Sequence, residues 1–188
     1  MSLEYDYIIA GGGSAGCVLA SRLANKSKDS ICLVEAGGSG KNLFIKMPAG
    51  NGFIFGNPKF DWGYHSVKQA QLNNRKIYFA RGKGLGGTSI VNGMVYIRGV
   101  AQDYDNWRQM GLDGWGYSDL LPYFKYSEGS TNRQNKFHGN QGPLKVEPAR
   151  NFSVLDEAFI KAAVDTGHEF LDDFNANKRA GVSRIDST

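Results

Sequence analysis

At the start of the chain, two short runs of apolar residues flank a segment in which the apolar residues have a helical spacing. Residues 5–10 are a short apolar run, which is typical of a buried parallel strand. Val18, Leu19 and Leu23, with small alanines among them, have the spacing of a helix that packs closely on a sheet. A second apolar run follows at residues 31–34. This order predicts a strand, a helix and a second strand, and therefore an α/β fold.

The middle of the chain has the pattern of short elements. Residues 43–60 are apolar and aromatic without a sustained period, and prolines interrupt them, which predicts a loop or short helices. Residues 61–69 alternate as an exposed strand does, and residues 76–80 are the expected partner strand. Asn73 and Asn74 predict the turn between these strands.

Several helices are predicted for the rest of the chain. Thr88 and Ser89 are N-cap candidates for a helix over the apolar residues 90–97. Another helix is expected at residues 101–110, and Ser118 is the expected N-cap of the next. The remaining predictions are a polar loop at 127–142, a strand at 144–147, and an amphipathic helix that Ser153 and Asp156 cap and Gly167 ends.

Gly11, Gly13 and Gly16 form a G-x-G-x-x-G motif between the first strand and the first helix. Gly11 permits a tight turn, Gly13 lets the backbone approach a pyrophosphate, and Gly16 allows close helix–strand packing. Glu35 ends the second strand at about 20 residues beyond the motif, where a carboxylate can bind ribose hydroxyls and would repel a 2′-phosphate. The context predicts a dinucleotide site that disfavours NADP; the alternative is a glycine turn without a ligand.

A second glycine loop lies further along the chain, at residues 82–87. A second such loop before a predicted helix suggests a second backbone approach to the same large ligand. A dinucleotide with an extra ring system fits better than a mononucleotide, although an ordinary glycine loop has the same composition.

The bulk composition is that of an ordinary globular protein. The 188 residues suffice for one domain or slightly more, and 41% of them are hydrophobic. The net charge of +4 suits an anionic cofactor but, without a basic stripe, predicts no nucleic-acid partner. Cys17 and Cys32 are expected to pack as small apolar residues. No signal peptide or membrane span is visible, so a cytoplasmic location is the default expectation.

These motifs resemble the glucose–methanol–choline (GMC) family of flavin oxidoreductases. The N-terminal GGGSAGCVLASRL with LVEAGG resembles the family's FAD fingerprint, and segments such as MPAG, DWGY and HGNQGPLKV also match. The residues in register with the family's first signature are Gly82, Lys83, Leu85, Gly86, Gly87, Thr88, Ser89, Val91, Asn92, Tyr96, Gly99 and Asp105.

The resemblance implies a Rossmann-like FAD-binding domain at residues 1–150 and the start of a substrate-binding domain at 151–188. FAD is expected to be non-covalent, because Val91 occupies the position at which some members carry a flavin-linked histidine. No residue is assigned to a metal. The residues that the resemblance assigns to FAD are Gly11, Gly13, Ser14, Ala15, Gly16, Glu35, Ala36, Gly86, Thr88, Asn92, Gly93 and Val95.

The resemblance also implies the reaction, in which an alcohol CH–OH group gives a hydride to flavin N5. The family's catalytic base, a histidine with a His or Asn partner, is expected beyond residue 188. His65 and His138 are interpreted as structural. We therefore expect no catalytic residue in this chain, no activity of the chain alone, and a C-terminal remainder or complementary chain as its partner.

Other functions stay open from the sequence. A lyase-type or light-driven family member would use FAD differently, and a truncated chain could bind FAD or a partner chain without catalysis. An NAD-dependent Rossmann enzyme would have no use for the second glycine loop. Arg81, Lys83 and Arg98 could assist anion binding, but solvated surface charges are an equally good interpretation of each.

Overall fold

The fold begins with two parallel strands connected by a helix. The computed structural model describes residues 4–150 and 152–188, without the side chains of residues 48 and 51. Strand β1 (Tyr7–Ala10) is followed by helix α1 (Ser14–Lys26) and strand β2 (Ile31–Val34), and β1 pairs with β2 in parallel. The predicted strand–helix–strand unit is confirmed.

The chain forms two compact units, Met1–Gly93 and Met94–Thr188. The boundary expected at residue 150 separates cofactor binding from substrate binding rather than two compact units. That functional division stays a prediction. Residues 1–3 and 151, at which the two expected domains begin, lie outside the described residues.

In the first unit, β2 leads into short helices and a small hairpin. The helices are α2 (Leu43–Lys46) and α3 (Asn51–Ile54), with one 3₁₀ turn between them, as the missing period predicted. Strands β3 (Tyr64–His65) and β4 (Tyr78–Phe79) pair in antiparallel. These strands are shorter than predicted, but the turn is confirmed, because Asn73 and Asn74 both adopt left-handed φ angles of 55° and 56°.

The core of this unit is small. Ile54, Phe60 and Val91 are buried together, and Ile45 and Ile90 pack against them. On the sheet, by contrast, Ile8 is 69% exposed.

The helix predicted over residues 90–97 is wrong. A 3₁₀ turn at Gly87–Ile90 is followed by strand β5 (Val95–Tyr96) in the second unit. Met94 has a φ of 60°, which a right-handed helix cannot accommodate. Ser89 does not cap a helix either, since its hydroxyl donates 2.8 Å to the Gly86 carbonyl.

In its described residues, the second unit combines three helices with a small sheet. Besides β5, the elements are α4 (Ala101–Gln109), α5 (Tyr117–Ser127), β6 (Glu128–Ser130), β7 (Leu144–Pro148), α6 (Val154–Asp165) and β8 (Asp186–Ser187). The strands lie in the order β5, β8, β7, β6; β6 and β7 run parallel and the other two pairs run antiparallel.

Two predictions in this unit need correction. Helix α5 begins after Gly116 rather than at Ser118, and the Asp119 carboxylate accepts the Gly116 amide at 3.1 Å. The segment that contains strand β6 was predicted as a loop, because its residues are polar. Glu128 in this strand is nevertheless fully buried. The α6 cap is confirmed, with the Asp156 amide 3.3 Å from the Ser153 hydroxyl.

Candidate functional site

The three motif glycines have distinct geometries. Gly11 has a φ of 97°, so it makes the tight turn that follows β1. A Cβ on Gly16 would lie 1.9 Å from the Gly11 carbonyl oxygen, so only glycine lets the helix approach the turn. A Cβ on Gly13 would meet no atom of the described chain closer than 3.9 Å. The space beside Gly13 is therefore left open by the protein itself.

The first turn of α1 begins directly at this open space. Gly13 is the N-cap, and the Cys17 amide donates 2.9 Å to its carbonyl, which closes the first helical turn. The amides that precede Cys17 in the helix have no partner within it, and they carry the positive end of the helix dipole. Such a terminus is suited to bind a phosphate group.

Glu35, at the end of β2, organises the backbone around the turn. Its Oε2 accepts the Gly12 amide at 2.7 Å, and its Oε1 accepts the Gly37 amide at 2.8 Å. A carboxylate offers about four lone-pair directions, so Glu35 can hold both amides and still accept hydroxyl groups. The contact with Gly12 had not been anticipated from the sequence.

The second glycine loop packs directly on the first. The Gly86 amide donates 2.7 Å to the Gly12 carbonyl, and the Leu85 amide donates 2.8 Å to the Gly38 carbonyl. A Cβ on Gly87 would lie 2.7 Å from the Gly13 Cα. Three glycine segments therefore meet beside the start of α1, and a side chain at Gly87 would push the second loop away from the first.

A groove runs along this junction. One section, of about 670 Å³, is lined by the motif glycines, the first turn of α1 and Thr88. A second section, of about 440 Å³, shares Gly11 and Gly13 and includes Glu35 and Ala36. Trp62 lines both sections. The groove is open, and its two sections together include Thr88 and Glu35 in their lining.

The wall of the groove also includes three residues from outside the first glycine motif, Trp62, Tyr64 and Arg81. The Trp62 and Tyr64 rings stack with centroids 6.0 Å apart and planes 6° apart. Neither aromatic residue was assigned to the site from the sequence. Their alternation within DWGY, which places both on one face of an extended segment, is the signal that could have identified them.

Buried Asp61 holds this wall in place. Its carboxylate accepts the Tyr78 hydroxyl and the backbone amides of Gly56, Gly63 and Arg81. Burial would raise the pKa of Asp61, but these hydrogen bonds outweigh that effect and lower the pKa to about 2. Asp61 is therefore a charged anchor next to Trp62, and no sequence signal had identified it in this role.

Most of the predicted cofactor residues come together in the first unit. Gly86 packs under the groove rather than lining it, and Asn92 and Gly93 follow the 3₁₀ turn as exposed residues outside the groove lining. Val95 lies in β5 of the second unit. The predicted residues that line the groove are Gly11, Gly13, Ser14, Ala15, Gly16, Glu35, Ala36 and Thr88.

The second unit contains a buried network of charges. Arg98 donates 2.6 Å to Glu128, with both side chains almost fully inaccessible. His138 lies between two carboxylates, with Nδ1 2.7 Å from Glu128 and Nε2 2.8 Å from Asp173. Burial would lower the pKa of His138, but the hydrogen bonds to Asp173 and Glu128 raise it to about 9. Arg98 is thus neither a solvated surface charge nor available to an external anion.

The fold and the groove define an α/β dinucleotide-binding protein. A family model described as GMC oxidoreductase matches residues 5–188. The chain therefore belongs to the GMC oxidoreductase family, and it corresponds to the FAD-binding N-terminal part of its members.

Individual relatives agree with this assignment. An oxygen-dependent choline dehydrogenase of Sinorhizobium fredii is 42% identical over 186 residues, which are 99% of this chain and 34% of the relative. The crystal structure of pyridoxine 4-oxidase from Mesorbium loti is 34% identical, with a TM-score of 0.91 over 98% of this chain and 36% of that one. An FAD-dependent oxidoreductase from Chaetomium thermophilum is 31% identical, with a TM-score of 0.85 over 98% of this chain and 33% of that one.

The predicted cofactor, FAD, is confirmed at the level of the family and its FAD-dependent relative. The chain spans about a third (34%) of the length of the curated relatives that it matches. Within the described residues, none of the helices is both long and apolar enough to span a membrane.

Proposed function

We propose that this chain is the FAD-binding part of an oxidoreductase that oxidises an alcohol CH–OH group. The observation that carries the proposal is the meeting of three glycine segments at the start of α1, beside Glu35. FAD, when bound, supplies the hydride-accepting N5 of its flavin. The protein supplies the binding site, the orientation of the cofactor and the electrostatic surroundings.

The groove fits FAD on its own geometry. The open space at Gly13 faces the α1 terminus, so amides of Ser14, Ala15 and Gly16 would hold the diphosphate. Glu35 would accept hydroxyls of the adenosine ribose with the lone pairs that Gly12 and Gly37 leave free. Thr88 lines the section of the groove away from Glu35 and would contact the flavin half.

The remaining assignments are Asn92, Gly93 and Val95 as flavin contacts and Gly86 as a further cofactor-binding residue. They rest on position in the family motif. Non-covalent attachment rests on Val91, which has no nucleophilic side chain. Cytoplasmic location and the division of function at residue 150 likewise stay predictions.

We propose that the base that removes the alcohol proton comes from outside this chain. His138 is unsuited to the task, because both ring nitrogens are bound to carboxylates and its raised pKa keeps it protonated at neutral pH. His65 donates through Nδ1 to the carbonyl of Gly63, 3.0 Å away, and remains interpreted as structural.

A C-terminal remainder or complementary chain would supply that base and cover apolar surface. Ile8 of β1 is 69% exposed. On α6, Val154 is 85% exposed, Leu155 77% and Phe159 70%, although the sequence pattern predicts them as one apolar face. Exposed apolar surfaces of this kind mark interfaces, which supports a partner for each unit.

The test combines an absorbance spectrum, intact mass and a substrate titration on the purified protein. We expect flavin bands and free FAD in the supernatant after acid precipitation. When an alcohol is added without oxygen, the bands should bleach only if the C-terminal remainder or complementary chain that supplies the base is present. Choline and pyridoxine are the first alcohols to add, since the names of two relatives mention them. A protein without flavin bands, even after incubation with FAD, would refute the proposal.

A further inference from the structure

Arg81 has an electrostatic position that no other basic residue shares. Among the described residues that line the two sections of the groove, it is the one lysine or arginine. The other ionisable side chain with a formal charge there is Glu35, which is negative. A dianionic diphosphate in this groove therefore meets helix dipoles and backbone amides, a carboxylate, and a single cationic side chain.

The backbone of Arg81 is fixed on both sides. Its amide donates 3.1 Å to the buried Asp61 carboxylate, and its carbonyl accepts the Trp62 amide at 2.9 Å. Next in the chain, Gly82 pairs with Asp61, and the Lys83 amide donates 2.8 Å to the Phe60 carbonyl. These contacts hold the Cα of Arg81 at the wall of the groove before any ligand binds.

The guanidinium itself is largely uncommitted. Among the described residues, its hydrogen bond goes to the carbonyl of its neighbour Ala80, at 2.7 Å. A guanidinium has five N–H donors in a planar fork, so most of its donors remain for a ligand. A side chain that served only the fold would be expected to pair with one of the nearby carboxylates or to pack against the wall.

The other two candidate cations, Lys83 and Arg98, do not line the described groove. The Lys83 ammonium lies 4.9 Å from the centre of the Trp62 ring and lines a separate pocket with Lys41 and Lys59. Arg98 is buried against Glu128 in the second unit.

We propose that Arg81 binds and neutralises the diphosphate of FAD in the section of the groove that the first turn of α1 also lines. This assignment rests on the proposed function, and it adds a side chain to a site that was otherwise assigned to backbone amides. Charge-assisted hydrogen bonds from a guanidinium to phosphate oxygens are stronger than neutral ones and depend on salt.

The experiment is a titration of flavin-depleted protein with FAD at low and high NaCl, followed by flavin fluorescence. Arg81→Gln is expected to raise the FAD dissociation constant by about 10-fold to 100-fold at low salt, and to flatten its dependence on salt. Arg81→Lys should retain the salt dependence and recover part of the affinity. Arg75→Gln is the matched control, because Arg75 is an exposed arginine whose Nε donates to the Leu72 carbonyl outside the groove.

The outcomes separate this assignment from the proposed function. Wild-type protein that binds FAD, with an Arg81→Gln variant of unchanged affinity and salt dependence, overturns the role of Arg81 alone. If Lys83→Gln loses FAD affinity and Arg81→Gln does not, Lys83 is the residue that neutralises the diphosphate. That result also overturns the role of Arg81. Wild-type protein that takes up no FAD refutes the proposed function, and the role of Arg81 with it. An Arg81→Lys variant that folds, and binds FAD as weakly as Arg81→Gln, would show that the shape of the guanidinium rather than its charge is required. That result would overturn the neutralising role of Arg81.

Discussion

The Nδ1 atom of His138 lies 2.7 Å from Oε1 of Glu128, and neither side chain is accessible to solvent. Glu128 also accepts hydrogen bonds from Arg98 and from the Gly139 amide, at 2.6 and 2.8 Å. Because strand β6 begins at Glu128 and the Asp173 carboxylate holds the opposite nitrogen of His138, the imidazolium joins two distant segments of the second unit. Buried carboxylates at both nitrogens require a positive charge between them.

Replacement of His138 by glutamine should therefore destabilise the second unit. Glutamine removes the charge and leaves Glu128 and Asp173 incompletely compensated in the interior, which costs about 3–5 kcal/mol when a buried pair is broken. Urea unfolding, monitored by the fluorescence of Trp107 and Trp115, measures the loss. His168→Gln, at an exposed histidine, is the control and should unfold like wild type. Equal stability of both variants would show that the network contributes little.

The contacts of His138 with its two carboxylates also predict a loss of stability in alkaline solution. The pKa of His138 is raised from 6.5 to about 9 in the folded chain, so its contribution to stability is complete below pH 6.5 and disappears as the pH rises through 9. The shift corresponds to an unfolding free energy on the order of 3 kcal/mol. Wild-type protein should show this decline between these pH values and His138→Gln should not. Parallel pH profiles for the two proteins would contradict the assignment.

The sequence predicted those parts of the fold whose signals are local. Periodicity was sufficient for β1, α1, β2 and α6, and the glycine spacing was sufficient for the tight turn at Gly11. The helix expected over residues 90–97 failed because apolar composition does not reveal that Met94 has a left-handed conformation. Strand β6 was missed because its polar residues are buried by pairing with distant charges, such as that of Arg98.

For the site, the motif located the floor of the groove but not its wall. Gly13 and Glu35 were identified from spacing, since both belong to one continuous strand–helix–strand unit. Trp62 and Arg81 reach the groove through pairing between segments that are separated in the sequence. No local pattern reports such pairing, and the buried Asp61 that fixes it resembles any other aspartate when only the sequence is known.

Asp61→Asn should weaken both the hairpin wall and FAD binding. An amide presents donors where the carboxylate accepts the Tyr78 hydroxyl and the Arg81 amide, so at least one buried donor loses its partner. We expect a loss of about 2 kcal/mol in unfolding free energy. The measurement is urea unfolding at neutral pH with Asp29→Asn, at an exposed position of the same unit, as the control.

Acid titration gives the same residue a second test. The pKa of Asp61 is lowered from 3.8 to about 2, so its stabilising contribution is present above pH 3.8 and is lost as the pH falls through 2. The difference in stability between wild type and Asp61→Asn should therefore shrink over this acidic range. A difference that stays constant there would argue that the residue acts through shape rather than charge.

Alanine at Gly13 and at Gly16 should separate ligand binding from folding. At Gly13 the new methyl group enters the open groove, at 3.9 Å from the nearest atom of the described chain, so the protein should fold normally. It should bind FAD at least about 10-fold more weakly, because the methyl group occupies the place of the diphosphate. At Gly16 the methyl group would lie 1.9 Å from the Gly11 carbonyl oxygen, so folding itself should suffer.

Thermal unfolding without FAD and FAD titration of the folded variants measure the two effects separately. Gly52→Ala is the matched control, since Gly52 lies in α3 with no atom within 4 Å of the added Cβ. It should retain FAD affinity and wild-type stability, or gain slightly from the higher helix propensity of alanine. A Gly13→Ala variant that binds FAD as tightly as the Gly52→Ala control would show that the diphosphate does not lie against the glycine turn.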